Sequence, residues 1–560
     1  MHTRDAAIRR LRALSDAASP ILIVGGGING IGLLRDLARM GIPAVLVEKG
    51  DFASGTSAAS SRLIHGGLRY LETGEFALVR ESVIERNALL KNAAHLVRPQ
   101  PVLVPAYSLF GGLFAAALRF MKLKKTPGPK GIVPIKIGLS FFDRFGRGNG
   151  TMPGHRLHAG RKRMPGLSRK VKAMAEYYDT RLVHPEWLAL ELIEDAEADC
   201  PETLAVNHVE VTATEGGKVT LTDRLGGGTF HLAPRLVINC AGVWVDKVNA
   251  ALGLSTAYMG GTLGSHLVLD RPDLVSELKG AMLYFETADY RACLIYAIDA
   301  RHILMGTTDI RASDPENAVC SEAEIDYIFK VTEELLPGAK FRREDISYTY
   351  AGIRPLPASG SAVTGAISRD HSFHHLPPEG ARPFDMLVLV GGKWTTFRAC
   401  AEQLGDRVLK ILGQSRSVST LDLAIGGGRG MTEPGAAERL CAALQAEGHA
   451  PDTALCLVDR YGSRATEVAG TVLRDPVWIS GTAYTRGEIR WLAEVGRIAR
   501  LQDMVMRRTR LPFDGALTRQ ALAEIAAICG EVLGWDAARQ ASEVEEVAAL
   551  LRARHLTLVP

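Results

Sequence analysis

The sequence predicts an α/β protein with a helical C-terminal part. Three observations support this fold class. A glycine triplet separates a short apolar run from a helical pattern near the start of the chain. Apolar runs much farther along also end in small residues, as buried strands do where a backbone must approach a flat ligand. After residue 412 glycine and serine become frequent, and helical periodicity then takes over.

The first strand, turn and helix form a dinucleotide-binding pattern. Residues 21–24 are an apolar run that suits a buried parallel strand, and residues 31–40 have helical periodicity. Between them stand three glycines at the G-x-G-x-x-G spacing, namely Gly25, Gly27 and Gly30. We expect the first to permit the turn, the second to let the backbone approach a pyrophosphate, and the third to let helix pack on strand. The N–H groups at the helix N-terminus would then bind the anion.

The second predicted strand, residues 43–48, ends in an acid. Glu48 follows the triplet by about 20 residues, where a carboxylate accepts hydrogen bonds from an adenosine ribose. Strand, turn, helix, strand and acid together indicate a Rossmann-like site for an adenosine dinucleotide. NAD and FAD both fit this fingerprint, because they share the adenosine diphosphate half.

Two later segments also end a predicted strand at a ligand site. Residues 236–242, LVINCAG, end in small residues. Residues 386–390 are followed by Gly391 and Gly392, and a helical pattern begins at Phe397. Because the carboxyl ends of parallel strands converge at one edge of an open sheet, we expect these segments to join the glycine triplet. An NAD domain usually completes its site within one contiguous unit, so this return from remote segments favours FAD.

Composition indicates a globular protein in a reducing compartment. The 560 residues, 47% of them hydrophobic, can form two to four domains. With 66 basic and 62 acidic side chains the net charge is only +4, so no general affinity for nucleic acid is expected. The eight cysteines include no C-x-x-C pair, which argues against a zinc site, an iron–sulfur cluster and a disulfide framework. We therefore predict no metal centre.

Four segments are predicted along the chain. Residues 1–20 form an N-terminal extension without a signal-peptide core. A regular α/β pattern that includes the nucleotide-binding strands occupies 21–412, and 413–434 form a linker. Apolar residues at helical spacing predict a helical C-terminal domain over 435–560.

Residues 60–70, SSRLIHGGLRY, offer groups for a pyrophosphate, a flavin and an anion. Together with GGGINGIG at 25–32 they resemble the signatures of the FAD-dependent glycerol-3-phosphate dehydrogenases, in the D-amino-acid-oxidase-like flavoprotein superfamily. The resemblance continues in family order through GSHLVL at 264–269, GTTD at 306–309, YAGIRPL at 350–356, ISRDH at 367–371, GGKWTTFR at 391–398, RYGSRATEV at 460–468 and EIRWL at 488–492. It therefore covers nearly the whole chain.

This resemblance implies a cofactor, a fold and a reaction. The cofactor is FAD, and a mixed-sheet substrate domain is interleaved with the Rossmann-like domain. The reaction is oxidation of sn-glycerol 3-phosphate to dihydroxyacetone phosphate by hydride transfer to the flavin. The implied cofactor-binding residues are Gly25, Gly27, Ile28, Asn29, Gly30, Glu48, Lys49, Thr56, Ser57, Ser61, Arg62, Leu63, His65, Gly66, Gly67, Ala241, Gly242, Trp244, Gly392, Lys393, Trp394 and Thr395.

The resemblance also implies a substrate pocket rich in cations. A phosphate monoester carries nearly two negative charges, which several fixed cations would bind. The matching family positions are Arg69, Arg354, Arg369 and Lys393, with Tyr70 and His266 completing the pocket. Oxidation of the alcohol requires a base, for which we expect His266, with His65 as the alternative. We expect Arg354 to stabilise the developing alkoxide while the other three cations share the phosphate.

The electron acceptor implied by the family's respiratory members is a membrane quinone of the ubiquinone type. The apolar stretch 109–121 contains Arg119 and is shorter than the roughly 20 residues that span a bilayer. Beside its basic neighbours it could lie on an anionic membrane surface or be a buried helix with a solvated basic turn. The resemblance favours a cytoplasmic protein attached peripherally to the inner face of the cell membrane, and it is compatible with a homodimer.

Three other functions remain open from the sequence. The chain could oxidise another polyol phosphate, such as erythritol phosphate, because a longer chain could use the same phosphate site. It could return electrons to oxygen as an oxidase. It could also be a non-catalytic flavin sensor or membrane scaffold, although the retained candidate base and cations argue against that.

Overall fold

The computed structural model describes most of the chain. The described residues are 3–14, 19–68, 75–111, 131–146, 152–287, 289, 291–312, 314–359, 370–380 and 382–559. The strands are β1 Ile21–Val24, β2 Ala44–Val47, β3 Leu63–Ile64, β4 Val97–Ala106, β5 Arg156–Ala159, β6 Ala173–Leu182, β7 Leu204–Val206, β8 Val209–Glu215, β9 Lys218–Asp223, β10 Gly228–Leu232, β11 Leu236–Asn239, β12 Met259–Asp270, β13 Met282–Glu286, β14 Ala292–Ala297, β15 His302–Gly306, β16 Ile310–Arg311, β17 Ile346–Pro357, β18 Ser372–Leu376 and β19 Asp385–Val390.

The helices lie partly between these strands and partly beyond them. They are α1 Arg4–Leu14, α2 Ile28–Arg39, α3 Phe76–Asn92, α4 Ile132–Gly146, α5 Pro185–Asp199, α6 Val245–Ala251, α7 Pro272–Leu278, α8 Glu322–Leu335, α9 Phe397–Leu412, α10 Ala436–Ala446, α11 Pro451–Tyr461, α12 Ala465–Arg474, α13 Arg486–Val495, α14 Leu501–Asp503, α15 Arg519–Leu533 and α16 Ala537–His555. A π-helical turn, Met504–Arg508, continues α14.

The first sheet has the doubly wound arrangement that the sequence predicts. Within the described residues its order is β18-β19-β11-β1-β2-β7, and all neighbours from β19 to β7 run parallel. These strands are short aliphatic runs that are almost entirely buried, as expected when helices cover both faces of a parallel sheet. The carboxyl ends of β1, β11 and β19 therefore meet at one edge, which confirms the predicted convergence.

The second sheet is mixed, as the resemblance implied. Its order in the described part of the chain is β16-β12-β15-β14-β13-β4-β6-β3, with β17 paired to β12 and β5 to β6. β13 and β4 are parallel, whereas β12 and β17 form a long antiparallel pair. The chain enters this sheet after β2, returns to the first sheet at β7 and β11, and crosses again for β12 to β17. The two sheets are thus interleaved in sequence.

The C-terminal helices share a core with the nucleotide-binding domain. One hydrophobic cluster extends from Ile21 in β1 through Tyr348 in β17 to Trp491 in α13 and Leu551 in α16. Buried ion pairs join the same parts, since Arg508 bonds Asp51 at 2.7 and 2.8 Å. The helical C-terminal domain that the sequence predicts is therefore firmly docked.

The segment 413–434, predicted as a linker, packs against the nucleotide-binding domain. Its Gly426 N–H donates to Asp195 at 3.0 Å, and its Gly427 N–H donates to Glu191 at 3.1 Å. Both carboxylates lie on α5 and are buried. Among the described residues no helix is both long and apolar enough to cross a membrane.

Candidate active site

The glycine turn after β1 lies tightly against the end of β11. Gly25 has φ of +110°, and a Cβ there would be 2.7 Å from the carbonyl oxygen of Cys240 and 2.9 Å from Cα of Ala241. A Cβ on Gly30 would be 2.0 Å from the carbonyl oxygen of Gly25. The turn and the first helical residues thus exclude side chains at two of the three glycines. A Cβ on Gly27 would meet only Ser57 Oγ, at 3.4 Å.

Glu48 lies at the end of β2, beside the glycine turn. Its carboxylate accepts hydrogen bonds from the N–H groups of Gly26 at 2.7 Å and Gly50 at 2.8 Å. Burial raises the pKa of Glu48, and the two N–H donors oppose that shift. A carboxylate held in this way, half-buried next to the turn, is placed to accept from ribose hydroxyls.

The N-terminus of α2 meets the loop that follows β19. A Cβ on Gly392, at φ of +98°, would be 2.2 Å from Nδ2 of Asn29. Oδ1 of Asn29 is buried and has no hydrogen-bond partner among the described residues. The N–H of Ile28 donates to Ser57 Oγ at 3.0 Å. Two glycine-bearing strand ends and one helix N-terminus therefore face one another, and this arrangement fits the pyrophosphate of a dinucleotide.

A second group of residues lies just after Glu48. Lys49 Nζ is 2.6 Å from Glu316 and 4.4 Å from the ring centre of Trp244. The indole N–H of Trp244 donates to the same Glu316 carboxylate at 2.7 Å. Glu316 comes from the loop between β16 and α8. The predicted cofactor residues Lys49 and Trp244 are therefore held together by an acid that the sequence did not single out.

Residues 56–61 connect the two sheets. Thr56 Oγ1 donates to the carbonyl oxygen of Ile353 at 2.7 Å. The indole N–H of Trp394 donates to the carbonyl oxygen of Ser57 at 2.9 Å. A Cβ on Gly352 in β17 would lie 2.3 Å from Cβ of Ala59. The absent side chain of Gly352 thus lets this loop lie directly on the mixed sheet.

The loop from Leu63 to Gly67 continues this surface. The N–H of His65 donates to Thr395 Oγ1 at 3.2 Å, and the N–H of Gly66 donates to the buried Asp179 at 2.7 Å. Leu63 pairs with Arg181 in β6, and Gly67 has φ of +75°. These contacts place His65 beside the loop 391–396, where the sequence predicts cofactor contacts.

The side chain of Arg62 is bonded to other parts of the protein, and its predicted role as a cofactor residue stays a prediction. Its guanidinium donates to Glu186 at 2.8 Å and to the carbonyl oxygen of Val183 at 3.1 Å. It also lies 3.8 Å from the ring centre of Phe513 in the C-terminal domain. Arg62 has φ of +54°, in the left-handed region of the backbone. Its side chain therefore points away from the side chains of the adjacent residues. The Arg62 side chain serves the domain interface.

His266 lies in β12, buried against the loop that contains Ser61. Its Nε2 is hydrogen-bonded to Ser61 Oγ at 2.7 Å, and its ring stacks on Tyr350 with centroids 4.8 Å apart. Nδ1 is buried and has no hydrogen-bond partner among the described residues. Burial, with the charges of Arg354 and Arg62, lowers the pKa of His266 to about 3. The imidazole is therefore neutral at physiological pH.

Arg354 shares one face of the mixed sheet with His266. Tyr350 in β17 pairs with His266 in β12. Arg354 follows Tyr350 by four residues, so the two side chains lie on the same face of β17. The guanidinium donates to Thr307 Oγ1 at 2.9 Å and forms a salt bridge with Asp309 at 3.2 Å. It packs on Gly264, where a Cβ would be 2.2 Å from it. The face that carries the candidate base and this cation is the one covered by residues 56–61.

Of the remaining predicted substrate residues, the structure describes Lys393. Lys393 lies between Gly392 and Trp394, beside the helix N-terminus of α9, and is half-buried. Arg69, Tyr70 and Arg369 lie outside the described residues, as does most of the predicted membrane segment 109–121. Their assigned roles stay predictions.

Several polar residues that support the site were not assigned a role from the sequence. Glu324 accepts hydrogen bonds from Ser265 at 2.8 Å and Thr308 at 2.6 Å, one residue away from His266 and Asp309 respectively. Glu324 also forms a capping box with Ser321 at the start of α8. The S-x-x-E pattern could have identified the helix start, but no local pattern links it to β12.

Three buried residues of types that can bind a metal ion form a cluster, and one of them follows Glu48 by three residues. Asp51, His208 and Asp503 bring their polar atoms within 4.8 Å of one another. Arg507 and Arg508 both form ion pairs with Asp51. The carboxylate charge is already neutralised by guanidinium groups, so the cluster has the character of an ion-pair network rather than of a cation site.

The comparisons with known proteins agree with this geometry. Residues 20–407 match the family model described as FAD dependent oxidoreductase, and 418–540 match the C-terminal domain of alpha-glycerophosphate oxidase. A glycerol-3-phosphate dehydrogenase of Synechocystis sp. is 34% identical over 430 residues, which are 73% of each chain. One from Pseudomonas tolaasii is 30% identical over 500 residues, 88% of this chain and 91% of the relative.

Two further similarities bear on fold and substrate. A D-erythritol 1-phosphate dehydrogenase of Brucella abortus is 34% identical over 416 residues, 73% of this chain and 77% of the relative. The crystal structure of a glycerol-3-phosphate dehydrogenase from Bacillus halodurans with FAD has a TM-score of 0.75 at 22% identity, and it covers 99% of this chain and 98% of that chain. At this identity the likeness concerns the fold. With the family match over most of its length and the glycine turn, acid and strand ends in place, the chain belongs to the FAD-dependent oxidoreductase family.

Proposed function

We propose that this flavoenzyme oxidises sn-glycerol 3-phosphate to dihydroxyacetone phosphate and passes the electrons to a membrane quinone. The observation that carries the substrate is the similarity to proteins named glycerol-3-phosphate dehydrogenase. A further such relative, from Mycobacterium bovis, is 30% identical over 556 residues and extends this similarity to 96% of the chain. The site adds a buried imidazole and a guanidinium on one face of the mixed sheet.

FAD, when bound, would supply the hydride acceptor. It would be held by residues 56–61 and by the loops that follow β1, β11 and β19. Gly25, Gly27 and the N-terminus of α2 would hold its pyrophosphate, and Glu48 would hold its ribose. His266 and Arg354, on the face of the mixed sheet that residues 56–61 cover, would then be the residues that serve the substrate. The substrate domain would therefore present the alcohol carbon to the flavin.

His266 would accept the hydroxyl proton of the substrate. The base must start in its neutral form, and burial with two nearby cations keeps it neutral. A dianionic substrate entering the pocket would offset those positive charges and raise the proton affinity of the imidazole. Ser61 fixes the ring through Nε2, and Tyr350 supports it from one side. Substrate binding would thus make the base stronger when it is needed.

Arg354 would stabilise the alkoxide that develops as the proton leaves. Its fork is oriented by Thr307 and Asp309, so little reorganisation accompanies substrate binding. The salt bridge to Asp309 leaves less than a full positive charge for the substrate. We therefore propose that Lys393, Arg69 and Arg369 bind the phosphate while Arg354 serves the alcohol oxygen.

An exposed apolar surface supports membrane attachment. Leu109 and Phe110, after β4, are 55% and 66% exposed, and Ile137 and Phe141 on α4 are 49% and 45% exposed. The N–H of Val133 donates to the carbonyl oxygen of Leu109, which joins the two segments. Apolar side chains clustered on a surface are typical of membrane or partner contacts. We name Leu109, Phe110, Ile137 and Phe141 the apolar surface.

The inner side of α4 connects the apolar surface to the flavin loop. Phe142 is 4% exposed and lies against Gly66, where a Cβ would be 2.4 Å from its ring. Phe141, next to it in the chain, faces outward. A quinone that enters from the membrane at α4 would be one helix thickness away from the loop of His65 and Gly66.

A second candidate substrate is D-erythritol 1-phosphate. The Brucella abortus relative matches this chain at the same 34% identity as the Synechocystis protein. Steady-state rates of the purified protein with sn-glycerol 3-phosphate and D-erythritol 1-phosphate, using a soluble ubiquinone analogue as acceptor, distinguish the two. We expect the higher kcat/KM for sn-glycerol 3-phosphate, and a higher value for the tetritol phosphate would reverse the assignment.

The acceptor is tested separately. Turnover under air without quinone should produce little peroxide, whereas an oxidase would release one peroxide for each substrate oxidised. Stoichiometric peroxide would contradict the quinone assignment while leaving the substrate assignment intact.

A further inference from the structure

A buried glutamate, Glu324 of α8, lies on the far side of the mixed sheet from the candidate base. It is 2% exposed, and its side chain accepts a hydrogen bond from Ser265 Oγ at 2.8 Å. Ser265 precedes His266 in β12, so the side chains of these two residues point to opposite faces of the strand. Glu324 therefore lies behind the sheet, and any influence that it has on the reaction passes through other residues.

The two side-chain oxygens of Glu324 have different partners. Oε2 accepts from the N–H of Ser321 at 3.0 Å and from Ser321 Oγ at 2.9 Å, and these bonds belong to the capping box of α8. Oε1 accepts from Ser265 Oγ and, at 2.6 Å, from Thr308 Oγ1. Thr308 Oγ1 accepts in turn from the N–H of Ser265 at 2.9 Å. The capping box uses only Oε2, whereas Oε1 joins α8 to β12 and to the loop after β15.

The loop after β15 is also the loop that orients Arg354. The guanidinium donates to Thr307 Oγ1 at 2.9 Å and to the carbonyl oxygen of Thr308 at 3.2 Å. It forms its salt bridge with Asp309, the next residue of the loop. Three successive residues thus provide acceptors for one guanidinium. The middle residue of the three is the one whose hydroxyl is bonded to Glu324.

The position of this loop matters because a cation stabilises a developing charge best when it is fixed before the reaction. We propose that Glu324 is a positioning residue that acts through Thr308. It holds the loop 307–309, and with it the Arg354 guanidinium, at the place where the alkoxide develops. This inference rests on the function proposed above, from which the role of Arg354 is taken. Since Arg354 serves the alcohol oxygen in the transition state, loss of its position lowers the rate of oxidation more than the affinity for substrate.

The test follows flavin reduction in the FAD-loaded protein by anaerobic stopped flow. The substrate is sn-glycerol 3-phosphate or D-erythritol 1-phosphate, whichever reduces the wild type faster, and its concentration is varied to give the limiting rate and the substrate Kd separately. Glu324→Met keeps the length of the side chain and removes both oxygens. It should lower the limiting rate about ten-fold or more and change the substrate Kd by less than about three-fold, with one flavin per chain retained.

Two controls separate this role from the start of α8. Ser321→Ala removes the serine hydroxyl of the capping box and leaves both bonds to Oε1 in place. Glu322→Met removes an exposed glutamate of the same helical turn, whose partner is Arg343. Both variants should keep the wild-type limiting rate. If Ser321→Ala slowed flavin reduction as much as Glu324→Met, the effect would belong to the helix cap, and the positioning role would be wrong.

A pair of variants at Thr308 leaves Glu324 and the capping box unchanged. Thr308→Val removes the hydroxyl that is bonded to Glu324, and it should lower the limiting rate about ten-fold or more. Thr308→Ser keeps the hydroxyl and should recover most of the rate that Thr308→Val loses. Equal limiting rates in the two variants would overturn the proposal, even if Glu324→Met failed to fold.

A double variant tests whether Glu324 acts through Arg354. Arg354→Met alone should slow flavin reduction, because the alkoxide loses its counter-charge. Adding Glu324→Met to Arg354→Met should then slow it by less than about two-fold more, since no guanidinium is left to position. A further slowing of about ten-fold would show an independent effect and overturn the proposal. A wild-type flavin that neither polyol phosphate reduces would instead contradict the proposed function itself.

Discussion

His266 is the residue on which the proposed chemistry depends most directly. The resemblance to the FAD-dependent glycerol-3-phosphate dehydrogenases predicts that His266 is the base. In the structure it lies on the face of the mixed sheet that residues 56–61 cover. Its low pKa means that it is neutral but weakly basic before substrate binds. Burial makes the imidazole a weak base, and the proposed effect of the substrate phosphate is to raise its basicity so that it can accept the proton.

Replacing His266 by Asn should slow flavin reduction by about 10²- to 10⁴-fold, because proton removal loses its base. The bound flavin, detected by its absorbance near the visible maximum, should remain at one per chain. Stopped-flow reduction by sn-glycerol 3-phosphate gives the rate. The control is His231→Asn, an exposed histidine in β10. An unchanged rate in His266→Asn across the pH range would transfer the role to His65.

Buried histidines also predict how stability depends on pH. Burial is the main cause that lowers the pKa of His555 to about 4, although its bond to the Thr349 carbonyl opposes this. The unfolded chain binds a proton at His555 near pH 6.5, whereas the folded chain does not. The contribution of His555 to the free energy of unfolding is therefore fully present above pH 6.5 and is lost as the pH decreases towards 4. His555→Asn should remove about 1.6 kcal/mol of the difference between pH 6.5 and 5.0.

This difference is measured by denaturant unfolding of wild type and His555→Asn at both pH values. His231→Asn, which is exposed, should keep the wild-type pH dependence. If His555→Asn and wild type lost the same stability between the two pH values, the buried-neutral assignment of His555 would be wrong.

At the scale of elements, the turn between β1 and α2 is the part of the fold most closely specified by its residues. A Cβ on Gly30 would overlap the carbonyl oxygen of Gly25 at 2.0 Å, and no flexible side chain is there to move. Gly30→Ala should therefore displace α2 and reduce FAD occupancy at least ten-fold, measured by flavin content after purification. Gly138→Ala, in α4 with no atom within 4 Å of the new Cβ, should leave the flavin content unchanged. Full occupancy in Gly30→Ala would contradict the close packing of this turn.

Helix α4 carries the prediction about the membrane. Phe141→Asp places a charge in the apolar surface and should reduce sedimentation with anionic vesicles by at least five-fold. Leu455→Asp is the control, since Leu455 is 62% exposed on α11 of the C-terminal domain. Equal loss in both variants, or loss in neither, would remove the apolar surface as the attachment site.

The elements that position the nucleotide were predictable because their signals are local. The apolar run 21–24, the triplet and the acid occupy one continuous segment, and β1 and α2 form as expected. The convergence of β1, β11 and β19 followed from the rule for parallel strand ends. The direction of the Arg62 side chain did not follow, because it depends on a positive φ and on Glu186 and Phe513, which are remote in sequence. For the same reason no local pattern indicated that Glu316 and Glu324 lie beside the site.

At the scale of the whole molecule, Asp51 anchors the C-terminal domain to the nucleotide-binding domain. Although burial raises its pKa, the guanidinium groups of Arg508 and Arg507 outweigh this and hold the pKa below its ordinary value. Asp51 follows Glu48 by three residues, so the anchor and the ribose acid lie on the same short loop. The C-terminal domain is therefore in a position to stabilise the bound cofactor.

Asp51→Asn should destabilise the protein by about 3 to 5 kcal/mol, because the buried Arg508 loses its counter-charge and the buried Arg507 keeps only Asp503. A lower melting temperature together with faster FAD release, followed by flavin fluorescence, is the expected result. The control is Asp326→Asn, an exposed carboxylate on α8. A melting temperature equal to that of wild type would show that the anchor contributes little.

The interleaved fold brings the predicted cofactor residues of one sheet and the predicted substrate residues of the other to a common surface, and the function proposed for this surface is the oxidation of sn-glycerol 3-phosphate. Anaerobic titration of the FAD-loaded protein tests it most directly. We predict that stoichiometric sn-glycerol 3-phosphate bleaches the flavin absorbance completely and that dihydroxyacetone phosphate is formed in equal amount. A flavin that stays oxidised with sn-glycerol 3-phosphate would contradict the account.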